Sequence, residues 1–127
     1  MYYFSSFFFF SKRRRLMKKT KLQDKIYKSS DKLEKQFQKE VIRDLKNEFE
    51  NSIVTKLDSG HTQGIPDLLI LYGNKWATLE CKKSKKAHRQ PNQEYYVNKM
   101  NNMSFSRFIY PENKEEVFDE LHKAFKS

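Results

Sequence analysis

The chain has 127 residues, enough for one domain with a real core, and 37% of them are hydrophobic while 33% are charged. Its formal charge of +10 favours a polyanionic partner, either nucleic acid or an acidic membrane surface. The sequence has no apolar run near the ~18 residues of a transmembrane helix, and its single cysteine, Cys81, excludes an intramolecular disulfide and favours a reducing, cytoplasmic location.

The positive charge is concentrated at the N-terminus. Residues 1–30 hold nine lysines and arginines against the single acid Asp24, whereas the remaining seventeen basic and fifteen acidic residues nearly cancel. Residues 1–29 are therefore predicted to be a basic, disordered arm. The opening MYYFSSFFFF precedes its basic cluster, which is the reverse of a secretory signal. Either Met17 is the true start, or the arm is a mobile segment for nucleic acid or, as a third alternative, a membrane-surface anchor.

A helix is predicted from about residue 30 to residue 50. An apolar residue recurs every four positions and makes one slowly drifting stripe, formed by Leu33, Phe37, Val41, Leu45 and Phe49. Ser30 or Asp31 is expected to cap this helix, because a short polar side chain can accept a hydrogen bond from the free backbone N–H groups of the first turn.

Three strands are predicted next. SIVTKL (52–57) is a short β-branched run, and the polar loop DSGHTQG (58–64) follows it. Residues 66–72 and 75–82 then form two further strands. A two-residue turn at Gly73-Asn74 would join them as a hairpin, since glycine tolerates the positive φ that such turns require.

The end of the chain is predicted to be a helix, a strand and a helix. After the basic loop 82–93, Pro91 favours the first turn of a helix that ends near Met100. SFSRFIY (104–110) is a strand, and the last helix has Asn113 and Glu116 as a capping box. The buried face of that helix is predicted to be Val117, Phe118, Leu121, Ala124 and Phe125.

The predicted order of elements is α-β-β-β-α-β-α. Because a helical crossover joins the third strand to the fourth, that pair is expected to be parallel and the sheet mixed. The sequence therefore predicts an α/β fold, of the α+β type with a mixed sheet, in which helices flank a central four-stranded sheet over residues 30–127.

Two carboxylates and a lysine interrupt the apolar strands of the hairpin. If Tyr72 faces Lys75 across the turn, Asp67 falls opposite Glu80, and Lys82 projects from the same face. Carboxylates that close repel unless a proton or a cation lies between them, and a hard cation such as Mg²⁺ removes the repulsion. Lys82 could then orient an attacking water. The alternative is an exposed salt bridge at a sheet edge, but the flanking runs LLIL and WATLE favour a buried site.

At this point the chain resembles a known family. GIPD (64–67), followed on a hairpin by Glu80-Cys81-Lys82, is similar to the PD-(D/E)XK nuclease superfamily, and most of all to its small VRR-NUC-type domains and related phage endonucleases. The resemblance covers about residues 31–125 and includes the order of elements. It implies a restriction-endonuclease-like core and, for a phage-encoded protein, the host cytoplasm. Cys81 departs from the family, which usually has a small apolar residue there.

The resemblance implies a metal site for Mg²⁺ or Mn²⁺. Asp67, Glu80 and the backbone carbonyl of Cys81 would bind the ion, and Lys82 would position or activate the attacking water. Glu34 matches a glutamate in the first helix of the family and would complete the metal shell.

Two positions in this implied site keep alternatives. Asp31 and Glu34 could instead form a capping box, in which case Glu34 only satisfies backbone donors, and Glu40 is a weaker substitute as the helix acid. Gln93 matches the glutamine that opens the next helix of the family and would contact phosphate or Lys82, with Gln90 as its alternative.

A second group of residues is predicted to bind nucleic acid. A basic cluster leaves the end of the acidic strand, and beside a metal-phosphate site it would grip the backbone phosphates through Lys83, Lys85, Lys86 and Arg89. The alternative is an ordinary solvated run of charge. His61 precedes GIPD and is expected to approach the substrate, although neither it nor His88 has the spacing of a zinc motif.

The expected function is a divalent-metal-dependent nuclease that hydrolyses DNA phosphodiester bonds. It would be an endonuclease in phage or mobile-element DNA processing, with junction, flap, homing and restriction cleavage all open. The alternative is a non-catalytic nucleic-acid-binding module of the same fold. No membrane partner is expected. A homodimer is expected, because a chain with so little beyond its core would need a second copy to cut two strands together.

Overall fold

The computed structural model describes residues 20–127, so most of the predicted basic arm, residues 1–19, lies outside the described residues. The helices of the described part are α1 (Lys21–Glu48), α2 (Pro91–Met103) and α3 (Lys114–Lys126). Its strands are β1 (Ile53–Lys56), β2 (Leu68–Tyr72), β3 (Lys75–Cys81) and β4 (Ser106–Ile109). A short 3-10 helix, Pro111–Asn113, precedes α3. The α/β class and the order of the elements are confirmed. Residues 33–127 form one compact unit.

The four strands form a single mixed sheet in the order β1-β2-β3-β4. β1 pairs with β2, and β2 with β3, in antiparallel fashion, whereas β3 and β4 are parallel. Helix α2 makes the crossover between the two parallel strands, because an antiparallel turn cannot connect them. The predicted mixed sheet is therefore confirmed.

The β2–β3 hairpin has the predicted two-residue turn. Tyr72 pairs with Lys75, and the register runs without a bulge to Leu68 and Leu79. Gly73 adopts a φ of 61°, the left-handed conformation that costs glycine little and most other residues more. The turn thus fixes which residues of the two strands face each other.

The two faces of the sheet carry different layers. One face is apolar and packs against α1 and α3, with Leu68, Ile70, Ala77, Leu79 and Cys81 all buried. The other face lies against α2 and contains a polar layer. There the Thr78 hydroxyl donates to Ser106 Oγ at 2.8 Å and lies 3.8 Å from Met100 Sδ. Strand alternation therefore places Glu80, two residues after Thr78, on the face that α2 partly covers.

Helix α1 begins nine residues before the predicted start. Thr20 and Gln23 form a reciprocal capping box, in which each side chain accepts a hydrogen bond from the other's backbone N–H, at 3.0 and 3.3 Å. The predicted caps, Ser30 and Asp31, are therefore wrong, because both lie inside the helix. Although α1 has 28 residues, neither it nor another helix within residues 20–127 is apolar enough to cross a membrane.

The predicted apolar faces of the helices are largely correct. Of the stripe on α1, four residues are buried, whereas Leu33 is 57% exposed and does not belong to the core. On α3 the buried residues are Val117, Phe118, Leu121 and Phe125, with Ala124 partly buried beside them.

The predicted capping box of α3 does not form. The Asn113 side chain points back toward the preceding strand, where its Oδ1 accepts from the Tyr110 N–H and its Nδ2 donates to the Phe108 carbonyl. The 3-10 turn at Pro111–Asn113 causes this difference, because it places Asn113 within reach of the strand end.

The loop before β2 is held against the first turn of α2 by a close approach at Gly64. Its φ is 89°, and a Cβ at this position would lie 2.3 Å from Asn92 Cβ and 2.7 Å from the Asn92 carbonyl carbon. Only glycine fits this contact, and Asp67 follows three residues later. The position of Asp67 relative to α2 therefore depends on Gly64.

Substituting alanine at Gly64 should destabilise the protein more than the same change at Gly73. Both positions have positive φ, which costs alanine about 1–2 kcal/mol, but the structure has no atom within 4 Å of a Cβ at Gly73. We expect Gly64→Ala to lose about 2 kcal/mol more than Gly73→Ala in urea unfolding. Equal losses would contradict the close approach.

Candidate active site

Asp67 and Glu80 face each other at the end of the hairpin. Asp67 lies immediately before β2, and one step beyond the Leu68–Leu79 pair of the register brings it opposite Glu80. The two carboxyl groups lie within hydrogen-bonding reach of each other. The second contact of Asp67 is with the backbone, because its Oδ2 accepts from the Cys81 N–H at 2.9 Å. The convergence expected from the sequence is thus present in the structure.

The pKa of Glu80 lies well above that of an ordinary glutamate. Burial, the negative charge of Asp67 and the hydrogen bond to it raise the pKa of Glu80 to about 9, while the ammonium of Lys82 acts in the opposite direction. Glu80 is only 3% exposed, so water contributes little to the stability of its charged form. A pKa of about 9 keeps Glu80 largely neutral at pH 7.

Lys82 and Gln93 extend the acid pair into a network. The buried Lys82 Nζ donates to Gln93 Oε1 at 2.8 Å, and Gln93 Nε2 donates to Glu80 Oε2 at 3.2 Å. Gln93 Oε1 also accepts from the backbone N–H of Gln90 at 3.0 Å, which orients the amide. The structure therefore brings Gln93 to Lys82, as the sequence suggested, and only the backbone of its alternative, Gln90, takes part.

Glu34 lies within electrostatic reach of the pair. Its charge contributes to raising the Glu80 pKa, after the larger contributions of burial, Asp67 and Lys82. The capping box with Asp31 is excluded, because α1 begins at Lys21. Glu40 instead forms an ion pair with Lys114 at 3.0 Å. Of the two helix acids considered from the sequence, the structure therefore places Glu34 near the site.

Cys81 contributes its backbone rather than its thiol. The side chain is fully buried in the core, and burial together with the nearby carboxylates raises the pKa of the thiol. A protonated, buried thiol is a poor metal ligand. The Cys81 N–H points toward Asp67, and since the N–H and C=O of one strand residue lie on the same strand edge, its carbonyl lies on that edge too.

The predicted nucleic-acid-binding residues lie in the loop between β3 and α2. Lys83, Lys85 and Lys86 are exposed, and the Lys85 N–H anchors the loop by donating to Glu112 Oε2 at 3.0 Å. Arg89 is half-buried, with its Cζ 4.0 Å from the centroid of the Phe108 ring. The loop thus presents its lysines to solvent and its arginine to the sheet.

Two aspects of this surface were not evident from the sequence. His61 is exposed, and the contact that its Nδ1 makes is with the adjacent Thr62 Oγ1 at 3.2 Å. Phe108 was predicted only as part of a strand, yet it supports Arg89. No sequence signal identifies Phe108, because its position depends on the register of two strands joined by a long crossover.

The residues at the acid pair suit a hard divalent cation. Two carboxylates and a backbone carbonyl are oxygen ligands, and Mg²⁺ commonly binds one or two carboxylates while keeping waters and substrate phosphates as its other ligands. Within residues 20–127, no group of three or more histidine, cysteine, aspartate or glutamate side chains is arranged to hold a metal ion. The fit therefore rests on the opposed pair of Asp67 and Glu80, because a cation between them would relieve the repulsion that raises the pKa of Glu80.

Comparison of the chain with protein-family models, curated proteins and solved structures finds no match. The arrangement of the residues described above is therefore what indicates the function. The resemblance of GIPD and Glu80-Cys81-Lys82 to a nuclease motif remains a prediction.

Replacing Glu80 by glutamine should make the protein relatively more stable as the pH rises. The folded-state pKa of Glu80 lies above its ordinary value of 4.5, so wild type loses stability as the pH increases from about 5 through 9. Glutamine stays neutral and can still donate a hydrogen bond to Asp67. The difference in unfolding free energy between Glu80→Gln and wild type, measured in urea with EDTA, should therefore grow in favour of the variant across that range.

The control for this measurement is Glu50→Gln, which removes an exposed carboxylate just after α1. Its stability relative to wild type should change little over the same pH range. A Glu80→Gln difference that is equally flat would mean that Glu80 is ionised in the folded protein.

Proposed function

We propose that this protein is a divalent-metal-dependent nuclease that hydrolyses DNA phosphodiester bonds. One observation carries the proposal: the half-buried carboxyl group of Asp67 faces the buried carboxyl group of Glu80, close to the buried Lys82. A merely structural ion pair would need one carboxylate for one cation. Here two acids and a buried lysine meet at the mouth of a basic loop, which is an arrangement suited to a cation and a phosphate.

Asp67 and Glu80 would hold Mg²⁺ or Mn²⁺, with the Cys81 carbonyl as a further oxygen ligand and Glu34 contacting the ion through a bound water. The bound cation would supply neutralisation of the negative charge that builds up on the phosphate in the transition state. Glu80 must lose its proton before the cation can bind, because a metal ligand has to be deprotonated. The positive charge of the cation would then stabilise both carboxylates in their ionised form.

Lys82 would hold the attacking water or a phosphate oxygen. An ammonium group has three N–H donors, and the hydrogen bond to Gln93 Oε1 uses one of them. Gln93 thereby fixes the direction of the ammonium and, through Glu80, ties that direction to the acid pair. Gln93 is in this sense a positioning residue, because it acts through Lys82 and Glu80.

DNA is the proposed substrate, and phosphate contacts from the loop would hold it. Lys83, Lys85 and Lys86 are exposed next to the end of β3, where the acid pair lies. Affinity from such contacts falls steeply with salt, because bound counterions are released from the DNA. A role for this chemistry in phage or mobile-element DNA, as an endonuclease that cuts two strands through a homodimer, is part of the same proposal.

Asp67→Asn should abolish metal-dependent nicking of supercoiled plasmid DNA. A closed circle has no ends, so nicking measures endonuclease activity alone. Loss of one carboxylate from the acid pair should lower the rate at least about a hundredfold in Mg²⁺ or Mn²⁺, because the metal site provides several kcal/mol of transition-state stabilisation. Initial rates on an agarose gel, with EDTA as a blank, measure the effect.

Glu40→Gln is the matched control. It removes a carboxylate from the same helix as Glu34, but this carboxylate pairs with Lys114 and not with the acid pair. It should nick at the wild-type rate, whereas Glu34→Gln should be slower. Nicking by Asp67→Asn at the wild-type rate would refute the proposal. Retention of DNA on a gel without any nicked product from wild type would favour the non-catalytic binding module instead.

Binding of Mg²⁺ should release about one proton at pH 7.5. Glu80 is largely protonated at this pH, because its pKa is about 9. This proton must leave before a cation can bind between the carboxylates. Titration calorimetry in two buffers of different ionisation enthalpy counts the released protons. Glu80→Gln should release none, and binding heats of wild type that do not depend on the buffer would contradict the proposed metal site.

A further inference from the structure

Arg89 packs on Phe108, the β4 residue that lies beside Glu80 of the acid pair. In the parallel β3–β4 ladder, Phe108 is the register partner of Glu80, so the two side chains project from the same face. The Arg89 guanidinium covers the Phe108 ring at 4.0 Å. Since neighbouring strands are about 4.8 Å apart, Asp67 flanks Glu80 on the β2 side and the Arg89–Phe108 pair flanks it on the β4 side.

The guanidinium of Arg89 has no partner for its N–H groups within residues 20–127. Its one recorded contact there is with the face of the Phe108 ring. The side chain is half-buried, and no Arg89 nitrogen is among the buried side-chain atoms that lack a hydrogen-bond partner, so its donors reach solvent. Because the Phe108 ring supports the side chain, these solvent-facing donors are held in place for an anion.

The other two arginines of this part of the chain are paired. Arg107 also stacks on a ring, with its Cζ 4.3 Å from the Phe105 centroid, but its Nη2 lies 2.8 Å from Glu120 Oε2. Arg43 forms an ion pair with Asp44 at 3.2 Å. Stacking alone therefore does not explain why Arg89 differs, since Arg107 also lies over a ring and donates hydrogen bonds from all three guanidinium nitrogens.

We infer that Arg89 is a phosphate clamp, in which the guanidinium held on Phe108 binds the backbone phosphate adjacent to the one that is cut. This inference rests on the proposed nuclease function. A planar guanidinium matches the geometry of two phosphate oxygens. The exposed Lys83, Lys85 and Lys86 in the same loop favour a partner with repeated negative charges, such as a nucleic-acid backbone. The substrate must then carry at least two consecutive phosphates, one at the acid pair and one at Arg89.

The test compares a substrate that has a neighbouring phosphate with one that lacks it. Oligonucleotide DNA carries consecutive phosphates, whereas bis(p-nitrophenyl) phosphate is a single diester. Arg89→Met keeps an apolar side chain over Phe108 but removes all donors, and Arg89→Lys keeps the charge but not the planar fork. Arg43→Met is the control, because it removes the same charge from an arginine that is already paired.

We expect Arg89→Met to lower kcat/KM on DNA about tenfold or more and to leave hydrolysis of bis(p-nitrophenyl) phosphate within about twofold of wild type. Arg89→Lys should be intermediate on DNA, and Arg43→Met should match wild type on both substrates. Unchanged DNA cleavage by Arg89→Met would overturn the clamp. Equal losses on both substrates would overturn it as well, since Arg89 would then act on the acid pair itself.

A binding measurement separates failure of the clamp from failure of the nuclease proposal. If wild type cleaves neither substrate, the nuclease proposal fails, and the anisotropy of a fluorescent duplex in EDTA still reports on Arg89. Arg89→Met should then weaken binding about tenfold and reduce the salt dependence by about one phosphate contact. Binding by Arg89→Met that equals binding by Arg43→Met would refute the clamp. Thermal melting confirms that each variant is folded before it is compared.

Discussion

The opposition of Asp67 and Glu80 is the constraint on which the site depends. The strand register places the two carboxyl groups opposite each other, and burial of Glu80 together with the charge of Asp67 raises the pKa of Glu80, which a nearby cation would lower. The two acids lie at the end of β3. Lys82 donates a hydrogen bond to Gln93, and Gln93 donates one to Glu80. Two acidic side chains placed close together are locally unfavourable, and here neighbouring residues compensate for the repulsion. Such an arrangement is more typical of functional sites than of purely structural ones.

The opposed acids could be predicted from the sequence because the hairpin is local. A two-residue turn at Gly73-Asn74 leaves one register, and that register alone sets Asp67 opposite Glu80. The surroundings of the pair could not be predicted with the same certainty. Phe108 and Glu34 reach it through a crossover and through helix packing, and neither contact has a counterpart in the spacing of the sequence. The sequence therefore predicts the pair Asp67 and Glu80, whereas the positions of Phe108 and Glu34 beside it can be known only from the three-dimensional structure.

The ends of the helices show why apolar periodicity locates a face better than a boundary. The stripe correctly predicted three buried residues of α1 and the buried Phe49 just after it, but it did not indicate where the helix starts. The actual start carries its own signal, the pair Thr20 and Gln23, which was present in the sequence but lay before the first apolar residue of the stripe. Leu33 fits the spacing and is still exposed, because a regular repeat cannot tell where the packed part of a long helix ends.

The location of the site follows from the strand to which it belongs. In the described sheet β3 has an antiparallel neighbour on one side and a parallel one on the other. The antiparallel side supplies Asp67 through a tight turn, and the parallel side requires a crossover that starts as soon as β3 ends. That crossover carries the basic loop, Arg89 and Gln93 over the end of the strand, so residues 80–93 supply an acid, a buried lysine, surface lysines and an amide in sequence. If β3 and β4 were antiparallel, a short turn could join them in place of the crossover. Arg89 and Gln93 would then not be carried over the end of β3, and Asp67 would remain as the neighbour of Glu80.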